Sequence, residues 1–234
     1  MSQPRAAFWA GARASLPFVI VLVPFGTLFG VVATEAGLNL VEVMSFSFLV
    51  VAGAAQFAAL QLYVEQAPTL IVLATALAVN LRMAMYSAAL TPHIGAAPFW
   101  QRALVAYALV DQSFVSSIAE YERRPERPLP EKMAFFFGAS VLMVLPWYGS
   151  TYVGALAGNS IPPWLALDFA LPITFLAMIG PMLRTAAHLV ACLVSIGGSL
   201  LLAFMPYGTG VLVAAVLEIY TMHRISSELD KEQQ

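Results

Sequence analysis

A chain of 234 residues that is 60% hydrophobic and only 10% charged, with a mean hydropathy of +0.81, cannot clothe a water-facing surface. Soluble domains carry about 25% charged residues, so the solvent here is lipid and the chain reads as a polytopic integral membrane protein. A net charge of −2 leaves no footprint for nucleic acid, and one cysteine, Cys192, excludes an intrachain disulfide and a cysteine-based metal cluster.

A spanning helix needs about 20 mostly apolar residues. Arg5 and Arg13 precede an uncharged run that reaches Glu35. This has the outline of a signal peptide. However, it is long, contains Pro17 and Pro24 and precedes several similar runs, so it reads as a retained first span. The second span lies between Glu42 and Glu65, the third from Thr69 to Leu90 with Arg82 inside, and the fourth from Phe99 to Ala119 with Asp111 inside. The charged stretch 120–132, with Pro125, Pro128 and Pro130, is a loop. A fifth span near 133–156 ends at Gly158-Asn-Ser-Ile-Pro-Pro163, and a sixth runs near 165–183. Arg184 then interrupts, and Pro206-Tyr-Gly-Thr-Gly210 divides the remainder into a seventh span and a short eighth, which also reads as a re-entrant piece.

The expected fold is therefore a single all-α transmembrane domain of seven to eight helices. Eight spans with a cytoplasmic N-terminus put Arg123, Arg124, Arg127, Lys132, Arg184, Arg224 and Lys231 inside, whereas the outer loops 35–42, 158–164 and 206–210 contain no Lys or Arg. Only the loop from His93 to Arg102 is less clean. Both termini are thus expected in the cytoplasm of a cell with a bacterial-type inner membrane.

Leu22-Val-Pro24-Phe-Gly26 with Gly30 is echoed by Val144-Leu-Pro146-Trp-Tyr-Gly149 with Gly154, an offset of 122 residues between the prolines. Phe48 to Gly53 is echoed by Phe175 to Gly180, an offset of 127. Two pseudo-repeated halves, 8–120 and 133–224, would place a site where Pro/Gly-broken helices meet near the midplane. Four spans per half make such a repeat parallel, three make it inverted. Ordinary small-residue helix packing accounts for Gly26, Gly30, Gly154 and Gly158 without any repeat.

Ionisable groups at mid-span cost about 2.5–3.5 kcal/mol on insertion scales. Arg82 with nearby Asn80, Asp111 and Glu218 are the conspicuous cases, while Asp168 and Arg184 lie near span ends and can snorkel. Arg82 matches a carboxylate in two-pronged geometry. Asp111 can neutralise Arg82, receive an ammonium or carry a proton. Asn80 and Arg82 point to different sides of a regular helix, so a shared target requires local unwinding. Ser45 and Gln56, eleven residues apart, share one face of a continuous helix. Dispersed His93, His188 and His223 lack metal-ligand spacing, Ser195 has no activating histidine, and no Walker motif is present. No enzyme, metal or cofactor is expected.

These residues also carry a resemblance. Pro17, Pro24-Phe-Gly26, Gly30, Met44-Ser45, Ala52-Gly53-Ala-Ala-Gln56-Phe57, Val79-Asn80-Leu-Arg82, Tyr86-Ser87, Pro92 and Asp111 before Phe114, in this order, resemble the AzlC family, the large subunit of branched-chain amino acid exporters. The resemblance covers nearly the whole chain from Phe8. It implies secondary export of branched-chain or similar neutral amino acids, with a small membrane subunit of the AzlD type. Gln112 stands where the family pattern carries a second acidic residue, so a mechanism using adjacent carboxylates is not implied. The expected site takes the substrate carboxylate on Arg82 or on amides freed after Pro24 near Gly26. The ammonium meets Asp111, Asn80, Gln56 or Ser45, and the aliphatic side chain rests on Gly53 and Phe57. Asp111 is the candidate for proton coupling. Homo-oligomerisation is compatible with this reading, and the rival is a membrane scaffold or channel subunit that carries no substrate itself.

Overall fold

The computed structural model describes residues 3–158 and 186–205, together with 210, 213 and 214. Every regular element among them is helical: α1 (Gln3–Glu35), α2 (Leu40–Leu49), α3 (Gly53–Val64), α4 (Thr69–Ile94), α5 (Phe99–Tyr107), α6 (Asp111–Arg123), α7 (Leu129–Gly158) and α8 (Ala186–Leu201). Among the described residues α1, α4 and α7 are each long and apolar enough to cross a membrane unaided. The expected sixth and eighth spans, with Asp168, Arg184 and Glu218, lie outside the described residues.

Helices α1 and α7 form the central pair. They run parallel, because rising numbers on one meet rising numbers on the other. Gly11 abuts Phe135 and Ala139, and Gly30 abuts Thr151 and Ala155. The contacts are reciprocal: Gly138 abuts Phe8 and Ala12 just as Gly11 abuts Phe135 and Ala139, and Gly154 abuts Thr27 as Gly30 abuts Thr151. A two-fold axis along the helix pair generates this pattern. The spacings from Gly11 to Gly138 (127 residues) and from Gly30 to Gly154 (124 residues) fall within the range of the sequence echo. With no Cβ, these glycines bring backbones close enough for dispersion contact where lipid supplies no hydrophobic drive. Thr34 Oγ1 adds a hydrogen bond across the pair, donating to the Ala155 carbonyl at 3.3 Å as well as to Gly30 within α1 at 2.9 Å.

The spans expected over 42–65 and 99–119 are each broken in two. Between α2 and α3 the backbone is extended at Val50 (φ −130°, ψ 94°) and nearly so at Ala52 (φ −150°, ψ 87°). Between α5 and α6 it is extended at Val110 (φ −131°, ψ 164°). Neither break contains proline or glycine, which is why composition did not announce them. β-Branched Val50-Val51 lowers helix propensity, and Asp111 with Ser113 favours a new helix start. Ser113 Oγ accepts from the Val110 N–H at 3.0 Å. Conversely, α1 continues through Pro17 and Pro24 and α7 through Pro146. The break expected after Pro24 is not there. Nor is α4 unwound at Asn80 and Arg82.

A cluster of Leu22, Phe29, Val43, Phe57, Met143 and Trp147 fills the space between α1, α2, α3 and α7. A second, with Leu90, Val105, Tyr121 and Phe136, joins α4, α5, α6 and α7. Both broken spans are thereby anchored on α7, the first of them also on α1.

Replacing Gly154 by leucine would drive a side chain into the Thr27 backbone, whereas a Cβ at Gly149 meets open space. Overpacking of this kind costs about 1–3 kcal/mol or more. Gly154→Leu is expected to lower the thermal midpoint of the detergent-purified protein sharply, and Gly149→Ala to leave it unchanged or raised. Equal midpoints for the two variants would refute the close packing of α1 on α7.

Candidate functional site

The two breaks face one cavity of about 160 Å³. Val51 to Ala54 reach it from the α2–α3 break, Val110 to Gln112 from the α5–α6 break, Arg82 and Met83 from α4, Phe25 from α1, and Met143 and Trp147 from α7. The α3 and α6 helices begin at the cavity. The first amides of any helix have no intrahelical acceptor, and its N-terminal end carries partial positive charge. Gly53 and Ala54 on α3, and Asp111 and Gln112 on α6, present such ends to the cavity. Paired half-helix ends at membrane depth are one way transporters receive a charged substrate group.

The charged groups are incompletely matched. Arg82 Nη1 lies 3.2 Å from Asp111 Oδ2, a single-point contact. Arg82 Nε and Asp111 Oδ1 are both buried and have no hydrogen-bond partner among the described residues, and the same holds for Trp147 Nε1. Asp111 is the first residue of α6, so the helix end stabilises its negative charge. The pair thus leaves Arg82 Nε and Asp111 Oδ1 unmet beside an apolar wall, with the Tyr86 hydroxyl as a further polar neighbour of the Asp111 carboxylate. Each such buried group costs about 1–3 kcal/mol.

Outside the cavity lining, aromatic groups link α2, α5 and α7. Tyr107 donates to the Phe48 carbonyl at 2.8 Å, which leaves Tyr148 to donate to Tyr107 across 2.6 Å. The Phe48 and Tyr148 rings lie 4.4 Å apart. These contacts tie the C-terminal ends of α2 and α5 to α7.

Of the residues expected at a site, the fold brings Gly53, Arg82 and Asp111 to the cavity. Gly26 is packed against Ser150 and Trp147, and Pro24 is exposed on α1. Because the helix breaks between them, Ser45 and Gln56 do not share a face. Ser45 is exposed, while Gln56 is fully buried and donates to Ser47 at 3.1 Å. Asn80 sits one helical side away from Arg82, with its Oδ1 buried and unpartnered. Sequence reasoning missed Trp147, Phe25, Met143 and Gln112. Trp147 stands in the echo of Pro24-Phe25, so aligning the two halves could have suggested it. Among the described residues no cluster of His, Cys, Asp or Glu could hold a metal ion.

Comparison with known proteins finds membrane proteins among the relatives of this chain. A membrane protein of Archaeoglobus fulgidus is 32% identical over 212 residues, covering 85% of either chain. Inner membrane protein YgaZ of Escherichia coli is 28% identical over 180 residues, covering 74% of this chain and 72% of its own. A membrane protein of Helicobacter pylori is 26% identical over 88% of this chain and 89% of its own. No solved structure matches. The model of the AzlC protein family matches residues 17–161, which hold both broken spans and every residue named around the cavity. That match covers more than half of the chain, and the protein belongs to the AzlC family.

Proposed function

We propose that this protein is a secondary transporter that exports branched-chain or similar small neutral amino acids. It does so across a bacterial inner membrane, with both termini in the cytoplasm and together with a small membrane subunit of the AzlD type. The observation that carries the reading is the Arg82–Asp111 pair, joined at one point and left with an unmet donor and an unmet acceptor between two half-helix N-termini. A zwitterionic amino acid completes both. Its carboxylate accepts from Arg82 Nε and from the free amides at Gly53 and Ala54, while its ammonium donates to Asp111 Oδ1. The aliphatic side chain rests against Phe25, Met143 and Trp147.

Size supports the same substrate class. The cavity of about 160 Å³ is close to the ~150 Å³ that accommodates benzene in an apolar core, which suits a small apolar side chain. Export needs the opposite face to open in turn. Release of the Tyr107–Phe48–Tyr148 contacts would free the C-terminal ends of α2 and α5 from α7 for such a movement. Asp111 is the proposed proton carrier, because protonation dissolves its pairing with both Arg82 and the substrate ammonium in one step.

In proteoliposomes containing the purified chain and its candidate small subunit, labelled valine is expected to exchange saturably against leucine and isoleucine, and not against lysine or glutamate. Arg82→Gln and Asp111→Asn should each lower exchange by about 10–100-fold, the weight of a charge-assisted hydrogen bond. The double variant decides between roles. A purely structural ion pair predicts recovery once both charges are gone, whereas a substrate site predicts that the folded double variant stays inactive.

A methyl group at Gly53 would crowd Phe25 and Trp147, both within 2.9 Å of its position. Gly53→Ala is expected to shift competition from leucine toward alanine by about tenfold or more. Unchanged selectivity would place the side-chain pocket elsewhere.

A further inference from the structure

A second feature lies outside the cavity, at the far end of α6. Here α1, α6 and α7 enclose an open groove of about 440 Å³. Its floor is apolar, formed by Ala10, Ala14 and Phe18 of α1 with Val115 of α6, and its rim is formed by Arg123, Arg124 and Arg127 around Glu120. The Glu120 side chain is only 6% exposed and serves all three guanidinium groups. It contacts Arg123, lies 3.7 Å from Arg124 Nε and lies 3.1 Å from Arg127 Nη2.

The charge balance at this rim is uneven. The whole stretch 120–132 holds four acidic and four basic residues, but those that line the groove are three arginines and one carboxylate. Glu131 touches Arg127 alone, at 3.9 Å, and Glu122 and Glu126 do not line the groove. Lys132 is turned to the Pro125 carbonyl at 2.9 Å. Counting Glu131, the groove still carries a surplus positive charge. Arg127, held over the Phe135 ring at 6.0 Å, is 13% exposed, and its buried Nη1 has no hydrogen-bond partner among the described residues.

The geometry points to a binding site for one anionic phospholipid, with its phosphate on Arg124 and Arg127 and its glycerol and first acyl carbons along Ala10, Ala14 and Phe18. Basic pockets between spanning helices hold anionic headgroups. The apolar floor argues for a lipid over a free anion, which would gain nothing from it. The surplus cation argues for an anionic headgroup over a zwitterionic one, which brings its own positive charge. The lipid would lie across α1 and the α6–α7 junction and brace the end of the half-helix that begins at Asp111. This inference is independent of the transported substrate.

Native mass spectrometry of the full-length protein tests it, using detergent micelles doped with phosphatidylglycerol or phosphatidylcholine of identical acyl chains, and inorganic phosphate as a third arm. The wild type is expected to retain one phosphatidylglycerol in preference to phosphatidylcholine. Arg124→Gln/Arg127→Gln should weaken that retention by roughly tenfold. Ala14→Trp, which fills the floor and leaves every charge in place, should weaken it comparably and decides the matter if the arginine variant does not fold. Equal retention of the two lipids, or unchanged retention in folded Ala14→Trp, overturns the proposal. Displacement of the lipid by inorganic phosphate at millimolar concentration would show a soluble-anion site and overturn it too.

Discussion

The backbone contact between α1 and α7 is the constraint on which the other elements depend. In lipid there is no hydrophobic force to press two apolar helices together, so contact area and backbone proximity must do it. Gly11, Gly30, Gly138 and Gly154 remove the side chains that would hold the helices apart. Two long unbroken helices fixed in this way form a rigid spine. That rigidity allows the neighbouring spans to be discontinuous, since each half-helix can dock on the spine independently. Phe57 on α3 and Val43 on α2 meet the same cluster that contains Phe29 and Trp147.

The breaks in turn make the charges tolerable. An isolated Arg or Asp at mid-membrane costs about 2.5–3.5 kcal/mol, and extended backbone at that depth is acceptable only where protein or water covers it. Here each supplies what the other lacks. The α6 N-terminus stabilises Asp111, Asp111 offsets Arg82, and the breaks lie against a cavity walled by Phe25, Met143 and Trp147. The matching is incomplete: Arg82 Nε and Asp111 Oδ1 remain without a hydrogen-bond partner among the described residues, which is the opening that the proposed zwitterionic substrate would fill.

A similar economy operates at the other end of α6. Glu120 gathers three arginines into one compact rim, and Tyr121 donates to the Lys132 carbonyl at 2.7 Å, closing the turn between α6 and α7. The half-helix is therefore held at both ends, by Asp111 and Ser113 at the cavity and by the Glu120 cluster at the membrane boundary. Movement of α6 as a unit would couple the two.

Composition and charge placement alone determined that the chain spans a membrane, that its residues there are helical, and that Arg82 and Asp111 are its costly intramembrane charges. These are properties of the solvent, since lipid penalises an unpaired backbone group or charge wherever it occurs along the chain. Part of the glycine pattern was also legible, in Gly26, Gly30, Gly154 and Gly158, because close helix contact requires small residues at fixed intervals, whereas the Gly11 and Gly138 contacts emerged only from the fold. Tertiary structure decided where the helices break. Pro17, Pro24 and Pro146 are absorbed within continuous helices, while Val50 to Ala52 and Ala108 to Val110, with no proline, are not. Local propensity alone would put the breaks at the prolines, and it is overridden by packing on the spine and by charges that reward two free helix ends. For the same reason Ser45 and Gln56 part company, Gly53 joins Arg82 and Asp111, and Trp147 enters the site from a helix more than sixty residues beyond Arg82.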